Sequence, residues 1–109
     1  MASSYKVLGQ LAPSAGTLSN LYIAPASTQT VVSTLTIANT GTSATQVRVA
    51  VRPAGNAIAI QHYCVYDVAI NAGDVLPLTL GLTLDATDVV SVYSLSGNVS
   101  FGLFGSEIV

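Results

Sequence analysis

Apolar and polar residues alternate along most of this chain with the two-residue period of a β-strand, most clearly between residues 28 and 55. From Val31 the odd positions form the more apolar face of one strand, and from 47 to 51 three valines alternate with polar or small residues. Between these runs, Asn39-Thr40-Gly41 provides residues that tolerate a left-handed backbone. The pattern therefore predicts a central hairpin, which the turn Arg52-Pro53-Ala54-Gly55 closes.

Six further strands are predicted by the same alternation, separated by turns rich in Gly, Pro, Asn, Asp and Ser. They span residues 5–11, 18–23, 57–70, 75–84, 89–95 and 99–104. Gly9 weakens the middle of the first strand, which favours a position at a sheet edge. The segment 57–70 is either one bent strand or two strands broken near His62 and Tyr63.

Leucine occupies every even position of the segment 75–84 and marks its buried face: Leu76, Leu78, Leu80, Leu82 and Leu84. Pro77, on the opposite face, cannot donate a ladder hydrogen bond, which indicates an edge strand or a bulge. Eight short strands at a spacing of about 8 to 12 residues, with no helical period, are typical of a sandwich or barrel. We therefore predict a single all-β domain over residues 1–109, an antiparallel β-sandwich of immunoglobulin-like or jelly-roll-like type.

Charged residues make up 7% of the chain, against about 25% in ordinary soluble domains, while 50% of the residues are hydrophobic. Twelve Ser and eleven Thr can solvate part of the surface. The composition also fits a protomer that buries much of its outside against neighbours, so we expect an obligate homo-oligomer. Because Lys6, Arg48 and Arg52 are the only cations, no basic stripe can neutralise phosphates, and nucleic acid is not an expected partner.

No membrane partner is expected, because the longest apolar run, Val75 to Leu84, is half the length of a membrane span. The apolar run near the N-terminus is too short for a signal-peptide core. Cys64 is the single cysteine and cannot form an intrachain disulfide, which favours folding in a reducing cytoplasm with the thiol buried as a small hydrophobe. His62 is the single histidine; with Cys64 it provides two metal ligands, too few for zinc, so no metal or cofactor is expected.

Candidate catalytic residues are present without a recognisable arrangement. A Ser-His-Asp set can be drawn from His62 and Asp67, but no G-x-S-x-G motif accompanies it. A pair of acids for glycoside hydrolysis would come from five carboxylates, three of which (Asp74, Asp85 and Asp88) fall in predicted turns, where Asp serves local hydrogen bonding. The prediction is therefore that the protein is not an enzyme.

Aromatic and arginine side chains are the candidates for contact with a partner, because both types are enriched where interfaces bind most tightly. Tyr63 and Tyr66 flank Cys64, and such a cluster serves sheet packing, a sugar platform or an interface anchor. The candidate interface residues are Tyr5, Tyr22, Tyr63, Tyr66, Arg48 and Arg52.

Five segments are similar to parts of a known class of protein: Tyr5–Gln10 (YKVLGQ), Leu21–Ala26 (LYIAPA), Ser33–Gly41 (STLTIANTG), Val49–Gly55 (VAVRPAG) and Phe101–Glu107 (FGLFGSE). Together they span nearly the whole chain, which resembles the small virion structural proteins of tailed bacteriophages, including cyanophages. These segments are scaffold motifs and include no catalytic ones.

The resemblance implies a β-sandwich that is assembled in the host cytoplasm and located in the virion. The first expectation is a cement or decoration protein, most simply a homotrimer, that binds the major capsid protein and stabilises the lattice. The alternatives are a tail, neck or baseplate component, a receptor-binding or carbohydrate-binding module, and a small hydrolase.

Overall fold

A computed structural model describes residues 3–79 and 81–109 of the chain. These residues form nine strands: β1 (Ser3–Leu11), β2 (Ser19–Ile23), β3 (Gln29–Asn39), β4 (Thr45–Arg52), β5 (Tyr63–Ile70), β6 (Val75–Leu78), β7 (Leu82–Leu84), β8 (Val89–Ser94) and β9 (Val99–Ile108). Two short 3-10 turns, Pro53–Gly55 and Ile60–His62, lie between β4 and β5. No helix in the described ranges has the length and apolar character needed to cross a bilayer.

The nine strands form two antiparallel sheets, so the predicted all-β sandwich is confirmed. Sheet A has the order β1-β9-β3-β6, and β7 also pairs with β3. Sheet B has the order β2-β8-β4-β5. β1 lies at an edge of sheet A, as its glycine indicates. The predicted segment 57–70 is neither one bent strand nor two: only Tyr63–Ile70 is a strand, and the 3-10 turn Ile60–His62 precedes it.

The core lies between the sheets and is built from alternate residues of the central strands. In sheet A, Leu35 is paired with Leu103 and Ile37 with Phe101, and all four side chains are fully buried or nearly so. Sheet B contributes fully buried valines from its two central strands: Val47, Val49, Val90 and Val92. The two-residue period thus appears in the structure as one buried and one outward face on each sheet.

The predicted central hairpin is wrong. β3 pairs with β9, β6 and β7 in sheet A, whereas β4 pairs with β8 and β5 in sheet B, so the connection crosses from one sheet to the other. Asn39, Thr40 and Gly41 do not adopt a left-handed backbone. Both strands carry an apolar face, and these faces meet across the core. The turn after β4, Arg52-Pro53-Ala54-Gly55, forms as predicted, and Gly55 has a left-handed φ of 69°.

The buried side chain of Asn39 holds this crossover in place. Its amide nitrogen donates to the carbonyl oxygens of Ser43 at 2.9 Å and Ile70 at 3.0 Å, and its amide oxygen accepts from the Gly41 N–H at 3.0 Å. Since Ile70 ends β5, one side chain links the end of sheet A to the end of sheet B. A buried amide with three satisfied hydrogen bonds makes this geometry specific.

The leucine segment forms two strands rather than one, which raises the strand count from eight to nine. β6 and β7 both pair with β3, and Gly81 between them has a φ of 64°. Leu84 is buried, and Leu76, Leu78 and Leu82 pack against the core, so the even-numbered face points inward as predicted. Leu80 lies outside the described residues. Pro77 lies on β6, which pairs with β3, in the edge position expected of it.

The alternation of β3 changes phase in the middle of the strand. The pairing with β9 shifts between Val32 and Thr34, which leaves Ser33 as an extra residue. As a result Val32 and Leu35, which are three residues apart, are both buried. The odd-numbered apolar face predicted from Val31 onward is therefore correct beyond the bulge and reversed before it.

Gly105 of β9 permits the close approach of β3 at this bulge, because a β-carbon there would overlap the carbonyl oxygen of Val31. We expect Gly105→Ala to lower the free energy of unfolding by about 2 kcal/mol or more, since two backbones would have to separate. Gly97→Ala is the matched control, because the nearest atom to its new β-carbon is 3.8 Å away. Urea melts of the two variants measure the difference, and equal midpoints would contradict the proposed packing.

Candidate functional site

A row of three stacked side chains crosses the outward face of sheet B. Arg48 lies on β4, with Tyr93 of β8 on one side and Tyr66 of β5 on the other. The carbon at the centre of the guanidinium is 4.4 Å from the ring centroid of Tyr66 and 4.5 Å from that of Tyr93. Each ring attracts the cation through its π-electrons, so the arginine and both rings hold one another in place.

Asp67 completes the row by pairing with the same arginine. Its carboxylate accepts from Arg48 Nε at 2.6 Å and from a terminal guanidinium nitrogen at 3.3 Å. This bidentate hydrogen bond raises the pKa of Arg48 above its already high ordinary value. The guanidinium is therefore charged at neutral pH.

A bulge in β5 brings Asp67 and Tyr66 to the arginine together. Val47 is paired with Val68 and Val49 with Val65, so two residues of β5 lie opposite the single residue Arg48. Asp67 has a φ of 52°, a left-handed conformation that Asp tolerates better than most residues. The extra residue lets a ring and a carboxylate reach the guanidinium from adjacent positions.

Tyr63 extends the row along β5. Its ring centroid is 4.9 Å from that of Tyr66, and the two rings are inclined at 80°, an edge-to-face arrangement. We call Arg48, Tyr63, Tyr66, Asp67 and Tyr93 the arginine–tyrosine patch. It holds three of the chain's five tyrosines.

Arg52 lies on the same face in a different role. Its guanidinium donates to Ser91 Oγ, to Asn20 Oδ1 and to the carbonyl oxygens of Gly55 and Asn56, at 2.9 to 3.2 Å. These bonds join β2, β4 and β8 to the turn that follows β4, and they cover Ser91, which is fully buried. Arg52 therefore stabilises this part of the sheet and its turn.

The two remaining candidate interface residues lie away from the patch. Tyr5 is 87% exposed on the outward face of β1 in sheet A. Tyr22, a candidate interface residue, is buried and is not open to a partner: its hydroxyl donates to Glu107 at 2.5 Å and lies 2.9 Å from Thr30 Oγ1. Burial, with the hydrogen bond to Glu107, raises the pKa of Tyr22 to about 12. Lys6 contacts the same carboxylate at 2.5 Å, so this cluster ties β1, β2, β3 and β9 together.

Cys64 is exposed, and the prediction that it is buried is wrong. Cys64 is the extra residue of a bulge, because Val49 is paired with Val65 and Ala50 with Tyr63, and its thiol lies 3.4 Å from the Val49 carbonyl oxygen. His62 is half-buried and hydrogen-bonded, with Nδ1 accepting from the Ala59 N–H at 3.1 Å. It lies in the 3-10 turn before β5 and not within the sheet.

The turn aspartates act as the sequence predicts. The carboxylates of Asp74 and Asp85 each accept a hydrogen bond from the next backbone N–H, and Asp88 accepts from Ala54 and Asp85. Within residues 3–79 and 81–109, no three His, Cys, Asp or Glu side chains come close enough together to hold a metal ion.

Tyr93 and Asp67 belong to the patch although sequence reasoning did not select them as interface residues. Strand period alone places Tyr93 on the polar face of β8, but its pairing with Arg48 depends on the register between β4 and β8. Asp67 reaches the arginine through a bulge that the alternation does not reveal.

Comparison with protein-family models, with curated proteins and with solved structures finds no match to this chain.

Cys64 is expected to react with a thiol reagent in the native protein, because its side chain is exposed. Burial of part of the thiol raises its pKa, so less thiolate is present at neutral pH than in the unfolded chain. The native reaction at pH 7 should therefore be complete but slower than in urea, and its rate should still rise between pH 8 and 9. Absorbance after addition of Ellman's reagent measures it, with Cys64→Ser as the blank. A native thiol that stays unmodified would place Cys64 back in the core.

Glu107 is expected to make folding dependent on acid pH. The hydrogen bonds from Lys6 and Tyr22 hold the pKa of Glu107 below its ordinary value of about 4.3. A carboxyl with a lowered folded-state pKa stabilises the fold above the unfolded pKa, and this stability is lost as the pH falls through the folded value. Glu107→Gln should therefore destabilise the protein most near pH 7, and the difference from wild type should shrink below about pH 4.

Urea melts at a series of pH values measure this difference. Lys6→Met is the companion variant, because it removes the larger of the two contacts that lower the pKa of Glu107 and leaves the Tyr22 hydrogen bond in place. In this variant the free energy of unfolding should depend less on pH than in wild type, but should still fall as the pH is lowered. A difference between wild type and Glu107→Gln that stays constant from pH 7 to 3 would show that the charge of the carboxylate is unimportant.

Proposed function

We propose that this chain is a non-enzymatic structural component of a tailed-bacteriophage particle, and specifically a capsid cement or decoration protein that acts as a homotrimer. The class of particle is supported by the resemblance of five segments across the chain. The observation that carries the structural role is the outward face of sheet A, which is apolar and hydroxyl-lined.

This face presents exposed or half-buried apolar side chains on three neighbouring strands. Tyr5 and Val7 of β1, Val31 of β3 and Phe104 of β9 share it, because Tyr5 and Val31 are both paired with Ser106, and Val7 is paired with Phe104. Ser, Thr and Gly fill the positions between them, and no Asp, Glu, Lys or Arg projects from the described strand positions of this face. Lys6 and Glu107 lie on the alternate positions and pair with each other.

An apolar face without charge suits contact with another protein surface better than contact with water. Closed symmetry is the simplest way to bury it, because every copy of the interface is satisfied in a ring. A trimer also matches the local threefold positions at which three capsid subunits meet. A protein that binds the assembled lattice and not its free subunits stabilises that lattice by mass action.

The alternative within the structural class is a tail, neck or baseplate component. Both roles use the same kind of interface, so the fold does not favour one over the other. Copy number separates them: a cement protein is present in hundreds of copies per particle, and a tail component in tens or fewer.

We expect the isolated protein to be a trimer at micromolar concentration in sedimentation equilibrium. Tyr5→Glu, which places a charge on the outward face of sheet A, should shift the protein toward monomer. Ile60→Glu is the matched control, because Ile60 is 86% exposed, close to the 87% of Tyr5, and lies in a turn outside this sheet. A stable wild-type monomer would contradict the assembly.

The capsid role is tested separately on particles that lack the protein. Adding wild type should raise the temperature at which the particles release DNA, and adding Tyr5→Glu should raise it less. An unchanged release temperature with wild type present would contradict the cement function and leave the β-sandwich unaffected.

A further inference from the structure

The arginine–tyrosine patch on sheet B is on the opposite side of the molecule from the face used in the proposed assembly. It has three properties that bear on what it binds: its rings are held rigidly, its charges cancel, and it lies on the outward face of a sheet. Each property restricts the chemistry of the occupant.

Rigidity comes from stacking and pairing within the patch. The guanidinium of Arg48 is held between two rings and by Asp67, and Tyr63 packs edge-to-face against Tyr66. Tyr66 nevertheless remains 54% exposed. A ring that is exposed and already ordered loses little conformational freedom when a ligand stacks on it.

Charge cancels because Arg48 and Asp67 neutralise each other. The nearby Arg52 is engaged by four hydrogen bonds within the sheet and its turn. A phosphate or carboxylate ligand would therefore find no unpaired cation in the patch. The ion pair still presents donors and acceptors at its solvent side, since the Arg48 and Asp67 side chains are 26% and 36% exposed.

The shape of the patch favours a ligand that lies across it. Surface depressions of about 400 Å³ lie elsewhere, beside Gly102 and Phe104 and beside Thr30 and Asp85. Tyr93, Arg48 and Tyr66 form a row over three strands, which spans roughly 10 Å because neighbouring strands lie about 4.8 Å apart. This length exceeds a single sugar ring.

We propose that the arginine–tyrosine patch binds a neutral polysaccharide chain. Arg48 lies over one face of the Tyr66 ring, so the apolar C–H face of a pyranose ring packs on the part of this ring that remains exposed. The sugar hydroxyl groups exchange hydrogen bonds with the tyrosine hydroxyls and with the Arg48–Asp67 pair. A neutral ligand with both an apolar face and many hydroxyl groups matches the neutral charge, the donors and acceptors and the extended shape of the row. This activity is independent of the proposed cement function, because it uses the other sheet.

The experiment is native gel electrophoresis in gels that contain one soluble neutral polysaccharide each: glucan, mannan, galactomannan, xylan or hydroxyethyl cellulose. At least one should retard the wild-type protein. Tyr66→Ala should weaken that retardation about tenfold or more, the loss expected of a central contact residue. Tyr66→Phe keeps the ring and should retain most of the binding.

Ile23→Ala is the matched control, because Ile23 is 55% exposed, close to the 54% of Tyr66, and lies on β2 outside both the patch and the assembly face, so this variant should bind as wild type does. Thermal melts confirm that each variant is folded. The proposal is overturned if no polysaccharide retards the wild type, or if Ile23→Ala and Tyr66→Ala weaken binding equally. It is also overturned if Tyr66→Ala loses binding to particles while no polysaccharide retards the wild type, since the patch would then be a protein interface.

Discussion

The pairing of β3 with β9 is the constraint on which the rest of this structure depends. These strands come from distant parts of the chain and form ten cross-strand pairs, from Gln29 opposite Ile108 to Asn39 opposite Val99. The ladder places Leu35 beside Leu103 and Ile37 beside Phe101, which form the sheet A side of the core. β1 then adds to the free side of β9, and β6 and β7 to the free side of β3.

The same ladder explains why the molecule has two sheets and not a series of hairpins. Because β9 and the β6–β7 pair occupy both edges of β3, β4 has no edge of β3 to join, and it pairs with β8 and β5 instead. The apolar faces of β3 and β4 still meet, but across the core. Asn39 joins the two sheets where the chain crosses, since its side chain bonds to Ile70 in the opposite sheet.

The two outward faces that result differ in chemistry. The face of sheet A is apolar and uncharged, which supports the proposed assembly. The face of sheet B carries an internally neutralised ion pair between aromatic rings, next to an area that Arg52 and the following turn cover. Because the two faces lie on opposite sides of the sandwich, each can contact a different partner. The proposed assembly through sheet A and the proposed polysaccharide binding through sheet B are therefore compatible in one molecule.

Local pattern in the sequence determined the β class, most strand positions and the turns, because a two-residue period and the conformational preferences of Gly, Pro and Asp act over a few residues. It also determined that Pro77 lies at an edge and that the even-numbered leucines on both sides of it face inward. Which strands pair, and in which register, was decided by the tertiary structure, because that depends on residues as far apart as Val32 and Gly105. Bulges at Ser33, Cys64 and Asp67 each shift the alternation by one residue, so the exposure of Cys64 and the grouping of Arg48 with Tyr66 and Tyr93 arise when the sheets form.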